Sequence, residues 1–343
     1  MTQTIGSAMR REMTDQPAVL GRLVTAFPQI VNELKGLGAP NRAGLAILAR
    51  GSSDNAARVA AYCAQVYAGI PVHTVSPSVF TTLGQQPKRF SQWLVMAVSQ
   101  SGRTPEIVDL AERFAAAGAL VVGVTNDNDS PLAVTSHYHV DLTAGTETAV
   151  PATKTVSSQM LAGIAIAASL GGTSVDPSAL AALPEQAAGL LAEEPELTAL
   201  VNRITAADRA VMIGRAYLAA AAFESALKMQ ETTGILAHAF STADFRHGPI
   251  RLTAEKLPVI AFTGSSAADQ DTAALTAELA AAGRPVSTVG SRPGAELPIP
   301  TTTPELEAIL ATIRGQQLAL ATALDLGIDP DQPTGLSKVT LTE

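Results

Sequence analysis

Five short, largely apolar runs recur through the first 142 residues: Gly44–Ala49, Pro71–Val75, Trp93–Val98, Ala119–Val124 and His139–Leu142. Gly44–Ala49, Trp93–Val98 and Ala119–Val124 lack the apolar–polar alternation of a half-exposed strand. Continuous runs of this length suit strands buried on both faces, which is the environment of a parallel sheet covered by helices. Helical text lies between several of them. Thr104 and Pro105 form an N-cap and first-position pair, and Ile107, Leu110, Ala111 and Phe114 then fall on one helical face. The chain is therefore expected to be α/β.

The third run breaks into Ser99-Gln100-Ser101-Gly102-Arg103-Thr104 before that helix. Short hydroxyl and amide side chains, a glycine that permits close backbone approach and free N–H groups at a helix start suit a bound phosphate. Arg50-Gly51-Ser52-Ser53 makes a similar turn after the first run. In a parallel sheet two such turns can converge at the carboxyl ends of the strands. The competing reading is two capped turns with no ligand, but Ser, Gln and Ser together exceed what one cap requires.

A net charge of −8 weighs against nucleic acid or an anionic membrane as partner, so an anionic ligand must be met locally. The one cysteine, Cys63, excludes an intramolecular disulfide and a cysteine-built metal site, and reads as a small core residue. The N-terminus lacks a signal-peptide layout, and the longest apolar run, Met160–Leu170, is too short to span a bilayer. The expectation is a soluble cytoplasmic protein.

Met9–Leu37 reads as a helical entry segment ended by Gly38-Ala39-Pro40-Asn41, and Gly171–Glu196 as containing a domain junction. The pattern then restarts, with strands expected at Arg209–Ile213, Leu257–Phe262 and Pro285–Val289, and helices at Ala219–Thr232 and Pro304–Gly327. Ala115–Gly118 recurs as Ala280–Gly283, and Gly69-Ile70 as Gly234-Ile235, both offset by 165 (283 − 118 and 234 − 69). A shared offset with the same element order favours a duplicated domain. At that offset Ser99-Gln100-Ser101-Gly102 becomes Gly264-Ser265-Ser266-Ala267, so the second copy has lost the phosphate chemistry.

Six motifs in this order resemble the double sugar-isomerase (SIS) fold: Gly51-Ser52-Ser53, Ser99–Thr104, Ala144–Lys154, Glu224–Glu231, His247-Gly248-Pro249 and Asp331-Gln332-Pro333. This is the architecture of the isomerase half of glutamine-dependent fructose-6-phosphate amidotransferase. The ending Asp331–Thr340 and Ala49–Asp54 look still closer to type II glucosamine-6-phosphate deaminases. The resemblance implies two tandem SIS domains, flavodoxin-like and three-layered α/β/α with parallel sheets. The expected divisions are a helical segment 1–37, a phosphate-binding domain 38–180, a second domain 181–328 and a catalytic tail 329–343.

The resemblance also implies roles. Ser99, Gln100, Ser101 and Thr104 would hold a sugar phosphate, with Ser52 and Ser53 assisting and the backbone near Val150 touching the sugar. Glu231 would be the base that moves a proton between C1 and C2, and Lys228 would help hold the open-chain sugar. Without the resemblance, Glu224, Lys228 and Glu231 at i, i+4 and i+7 read as a solvated salt-bridge face. His247 would open the sugar ring, reaching into the site of a neighbouring subunit, which implies a homodimer. Lys338 would form a Schiff base at C2. Arg103 is not made essential, Ala152 replaces a serine of the amidotransferases, and Glu147, Thr153 and Lys154 are treated as structural. No metal or other cofactor is expected.

The resulting expectation is deamination of glucosamine 6-phosphate to fructose 6-phosphate and ammonia. Another hexosamine 6-phosphate deaminase, a fructosamine-6-phosphate deglycase and a non-catalytic sugar-phosphate sensor are the alternatives. Glutamine-dependent synthesis is disfavoured, because Thr2 follows Met1 and the first strand begins near Gly44, leaving no room for a glutaminase domain.

Overall fold

The computed structural model describes residues 5–172, 175–193, 195–255 and 257–338. Two helices, α1 (Ser7–Thr14) and α2 (Gln16–Gly36), lead into a first sheet. Its strands are β1 (Gly44–Leu48), β2 (Val72–Thr74), β3 (Trp93–Val98), β4 (Leu120–Thr125) and β5 (Tyr138–Asp141). Helices α3 (Ser52–Cys63), α4 (Pro77–Thr81), α5 (Pro105–Ala116) and α6 (Pro131–Thr135) connect them, and α7 (Lys154–Gly171), α8 (Pro177–Ala192) and α9 (Thr198–Ala207) follow. The second sheet comprises β6 (Arg209–Gly214), β7 (Leu236–Ser241), β8 (Val259–Thr263), β9 (Val286–Gly290) and β10 (Leu297–Pro298). Its helices are α10 (Tyr217–Thr233), α11 (Thr242–Arg246), α12 (Asp269–Ala281) and the long α13 (Pro304–Asp325).

Both sheets are parallel throughout, ordered β2-β1-β3-β4-β5 and β7-β6-β8-β9-β10. This is one topology used twice. In each the order reverses between the first and third strands, so the turns leaving those strands lie side by side at the place where open α/β sheets bind ligands. Ala46, Leu48, Val95, Ala97 and Val121 pack with Ile107, Leu110 and Phe114 of α5. Their neighbours of opposite parity, Leu45, Ile47, Leu94 and Met96, are equally buried, as a sheet covered on both faces requires. In the second sheet Val211, Ile213, Val259 and Ala261 pack with Leu275 and Leu279 of α12 and Phe245 of α11. Cys63 is buried, as expected of a core residue.

The duplication extends to details. Gly51 leaves β1 with φ 55° and ψ −131°, and Ala216, 165 residues on (216 − 51), leaves β6 with φ 50° and ψ −125°. A left-handed φ is strained for alanine, yet the second copy keeps the bend. Arg50 pairs with Glu106 at 2.9 Å, and at the same offset (215 − 50 and 271 − 106) Arg215 pairs with Asp271 at 2.7 Å.

The chain forms two compact units that are interleaved in sequence. One holds Ala18–Thr146 and the stretch from Thr155 through α7; the other holds the chain up to Pro17, Glu147–Lys154 and the stretch from Val175 to Lys338. The sequence divisions at 37/38 and 180/181 differ from these, because α2 from Ala18 onward belongs with the first sheet, while α1, the 147–154 loop and the whole of α8 belong with the second. The expected single entry helix is broken after Thr14: Pro17 has no N–H to give and its ring blocks the carbonyl four residues back. Strands β7 and β10 are additions to the sequence reading. β7 is the alanine- and histidine-bearing run L-A-H-A-F-S at a sheet edge, and β10 has two residues.

Candidate functional site

The first-sheet unit carries the turn that the sequence marks as an anion seat. β3 ends at Val98, and Ser99 N–H still donates to Val124 O at 3.1 Å, so the chain leaves the sheet only after Ser99. Gly102 then turns with φ 62° and donates its N–H to Ser99 O at 3.1 Å. A Cβ there would lie 2.1 Å from Ser130 Oγ, so glycine is required by both conformation and space. Ser101 Oγ accepts from Arg103 N–H at 3.2 Å, and Ser99 Oγ lies 3.2 Å from Thr104 Oγ1. Thr104 sits at the N-cap of α5, but its hydroxyl makes no capping bond. The N–H groups of Gln100, Ser101 and Thr104 meet no acceptor among the described residues. A concave turn with unmet donors is an electropositive seat for an oxyanion.

Two features of the turn escaped the sequence reading. Arg50 reaches from the β1 turn to one oxygen of the buried Glu106 in α5, at 3.1 and 2.9 Å, and so ties the two turns together. Its recurrence as Arg215 and Asp271 was the available signal. Arg103 points its charge at Asp127, at 2.7 Å, and this bond holds the Asp127 carboxyl below the usual range. Ser53 is buried, and its Oγ accepts from Gln159 Nε2 of α7 at 3.1 Å. Ser52 and Gln100 are partly exposed at the turns.

The second-sheet unit carries the titratable candidates. Glu224, Lys228 and Glu231 do share one face of α10, but Glu224 and Lys228 are 0% exposed, so this is no solvated face. The Lys228 ammonium lies 3.4 Å from Glu224 and also binds Glu231, whose side chain alone of the three reaches solvent, at 23% exposure. Burial alone would push the Lys228 ammonium down; the two carboxylates outweigh it and hold it above the ordinary lysine range. The helix is fixed against α13 by a close crossing, where a Cβ at Gly315 would meet Ser225 Oγ at 1.8 Å.

His247 caps the C-terminus of α11 and is exposed. Its Nδ1 lies 2.8 Å from Ala243 O. A carbonyl can only accept, so Nδ1 is the donor in this contact and Nε2 is the ring nitrogen left for other partners. Lys338 donates to Glu147 Oε2 at 2.8 Å and to Ala149 O at 2.7 Å, beside the partly exposed Val150. Among the described residues no hydrogen bond or ion pair joins His247 or Lys338 to Glu231.

The Lys338 seat is built from distant parts of the chain. Glu147 is buried, and its other oxygen accepts from Thr153 N–H at 3.0 Å. Glu12 of α1, 1% exposed, accepts from the N–H groups of Thr148 and Ala149. Asp331 in turn accepts from Ala8 and Met9 N–H at 2.7 and 2.8 Å, and Asp329 from Gly6 N–H at 3.0 Å. Thus the tail caps α1, α1 holds the 147–150 loop, and that loop holds Lys338 of the tail. Residues 339–343 of the expected catalytic tail lie outside the described residues.

Two parallel sheets that share one flavodoxin-like strand order define a sugar-isomerase type of double domain. The chain belongs to the SIS domain family, whose model matches residues 41–169 and 203–297. It is 31% identical over 317 residues to the glutamine–fructose-6-phosphate aminotransferase of Gloeobacter violaceus, covering 87% of this chain and 51% of that protein. The Chlamydia caviae aminotransferase is 29% identical over 358 residues, 98% of this chain and 58% of that protein. The chain thus spans little more than half the length of these curated relatives. Among solved structures, a candidate phosphosugar isomerase from Silicibacter pomeroyi superposes with a TM-score of 0.86 at 30% identity, covering 94% of this chain and 99% of that one. The glucosamine-6-phosphate deaminase of Thermotoga maritima shares the fold, with a TM-score of 0.75 at 22% identity over 98% of this chain and all of that one.

Proposed function

We propose that the chain is an amino-sugar-phosphate deaminase that converts glucosamine 6-phosphate and water to fructose 6-phosphate and ammonia. The observation that carries the reading is the Glu224–Lys228–Glu231 line. It presents one solvent-reaching carboxylate on a rigid, buried ionic support, which is what a base acting at carbon needs. Family membership and the unmet donors of the 99–104 turn supply the phosphate-sugar half of the argument.

In this reading Ser99, Gln100, Ser101 and Thr104 take the phosphate, with Ser52 and Ser53 framing the adjoining turn. His247 Nε2 opens the ring by proton exchange, serving a neighbouring subunit in a homodimer. Glu231 removes the proton from C2 of the open-chain aldehyde, giving an enolamine, and returns it to C1. The product is a C2 ketimine. Lys338 displaces ammonia from it by transimination after yielding a proton, and water then frees the ketose; direct attack by water gives the same products. Lys228, expected to help hold the open-chain sugar, is fully buried between Glu224 and Glu231 and in this reading acts by fixing Glu231, while the backbone at Val150 aligns the sugar.

Ammonia release assayed on glucosamine, galactosamine, mannosamine and fructoselysine 6-phosphates tests the proposal. Release from glucosamine 6-phosphate with stoichiometric fructose 6-phosphate is expected, and fructoselysine 6-phosphate should release no ammonia. Tight sugar-phosphate binding with no turnover on any of the four overturns it in favour of a sensor.

A further inference from the structure

The second copy keeps the strand–turn–helix unit of the first and fills it from within. β8 ends at Thr263, and α12 starts at Asp269. At the offset of 165 (264 − 99) Gly264 takes the place of Ser99, Ser265 of Gln100, Ser266 of Ser101 and Asp269 of Thr104. The turn itself survives: Ser266 Oγ accepts from Ala268 N–H at 3.2 Å, just as Ser101 Oγ accepts from Arg103 N–H at 3.2 Å.

What differs is the occupant. In the first copy Gln100 N–H meets no acceptor among the described residues. In the second the corresponding Ser265 N–H donates to Glu307 Oε2 of α13 at 2.9 Å. A Cβ at Gly264 would lie 2.4 Å from that same oxygen and 3.0 Å from Asp269 Oδ2. The Glu307 carboxylate therefore occupies the room that the Ser99 side chain takes in the first copy. Glu307 is fully buried and Asp269 is 2% exposed, and Glu307 Oε1 and Asp269 Oδ1 have no hydrogen-bond partner among the described residues. A carboxylate already seated on the turn's N–H and closed in by Asp269 leaves no room for a further anion.

We propose that the turn after β8 is an anion-binding turn permanently occupied by the chain's own Glu307 carboxylate, so that each chain offers one such turn to an external phosphate rather than two. The loss of serine, glutamine and threonine there is then the replacement of a diffusible ligand by a tethered one. The count of one rests on the reading of the 99–104 turn as a phosphate seat; the occupancy of the second turn does not.

The test uses inorganic phosphate as probe, with binding measured by calorimetry on the full chain. The unmodified protein is expected to bind one equivalent and Ser101→Ala to weaken it. Glu307→Ala combined with Asp269→Thr should add a second equivalent, and should retain one when Ser101→Ala is added. A folded Glu307→Ala/Asp269→Thr chain that gains no phosphate overturns the proposal. Amide exchange in the unmodified protein decides independently of any variant: Ser265 should exchange at least about tenfold more slowly than Gln100, and equal rates overturn it. Loss of the first equivalent alone strikes the 99–104 reading and leaves the exchange result to decide this one.

Discussion

Lys338 and Glu147, 191 residues apart, meet at 2.8 Å, and the carboxylate is completely buried while the ammonium is 22% exposed. The pairing makes Glu147 the residue that positions the tail, although the sequence places it in a motif treated as structural. A buried carboxylate that loses its cation is costly, so each partner holds the other in place. Glu147→Gln should free the tail. Limited trypsin digestion, read by mass spectrometry, should show cleavage after Lys338 at least about fivefold faster than in the unmodified chain, because access to a tethered site follows local opening. Unchanged cleavage would mean that the Ala149 carbonyl alone seats the lysine.

The ionic line on α10 separates chemistry from stability. Glu231→Gln keeps the shape and removes the base, so kcat should fall by about 10²-fold or more with substrate binding retained. A near-normal rate would remove Glu231 from the mechanism. Lys228→Met leaves Glu224 buried without its cation and should cost about 3–5 kcal/mol in urea denaturation, with Glu224→Gln restoring part of the loss. Because Lys228 is held above the ordinary lysine range, its contribution is fully present below the unfolded lysine value. It is lost only as pH climbs through the raised folded value, so this destabilisation should be constant across neutral pH.

Gly102→Ala asks for a Cβ at φ 62° with Ser130 Oγ 2.1 Å away. The backbone strain and the clash together should lower stability by about 1–3 kcal/mol and weaken phosphate binding. Adding Ser130→Gly relieves the clash alone and should recover part of the stability but not all of it. Full recovery in calorimetric scans would show that the left-handed turn costs alanine nothing here.

Asp269 is pushed up to about 7, by burial first and by Glu307 second, with Ser266 N–H and Arg292 opposing. The group binds its proton more tightly folded than unfolded, so its contribution is complete below the unfolded value and fades as pH rises through about 7. Relative to Asp269→Asn, the unmodified chain should therefore lose of order 2–4 kcal/mol between pH 5 and pH 8. Parallel stability curves for the two proteins would place the Asp269 carboxyl in an ordinary environment.

Local chemistry made much of this molecule readable from its sequence. Trp93–Val98 is buried on both faces and declares itself by composition, and Thr104-Pro105 announces α5. The 165-residue offset exposes the duplication, since two copies under the same packing constraints keep the same glycines at Gly118 and Gly283. Lys338–Glu147 and Asp331–Ala8 were not legible, because each joins segments that share no local pattern. Burial of Glu224 and Lys228 was equally hidden: spacing says that they share a face, and only the close crossing at Gly315 says that the face points inward. Glu307 looks like an ordinary acidic residue in the first turn of a helix, and its role depends on a turn some forty positions earlier.

The stitch between the tail and α1 has a consequence for biosynthesis. Residues 18–146 hold the whole first sheet in one continuous stretch and can begin to fold as they leave the ribosome. The start of α1 must wait for partners 322 and 323 residues downstream. Until Asp329 and Asp331 emerge, α1 lacks its cap, and until Lys338 follows, Glu147 lacks its cation. Helix α1 is thus synthesised long before the partners that lock it, so a nascent chain cannot complete the Lys338 seat before translation has passed that residue.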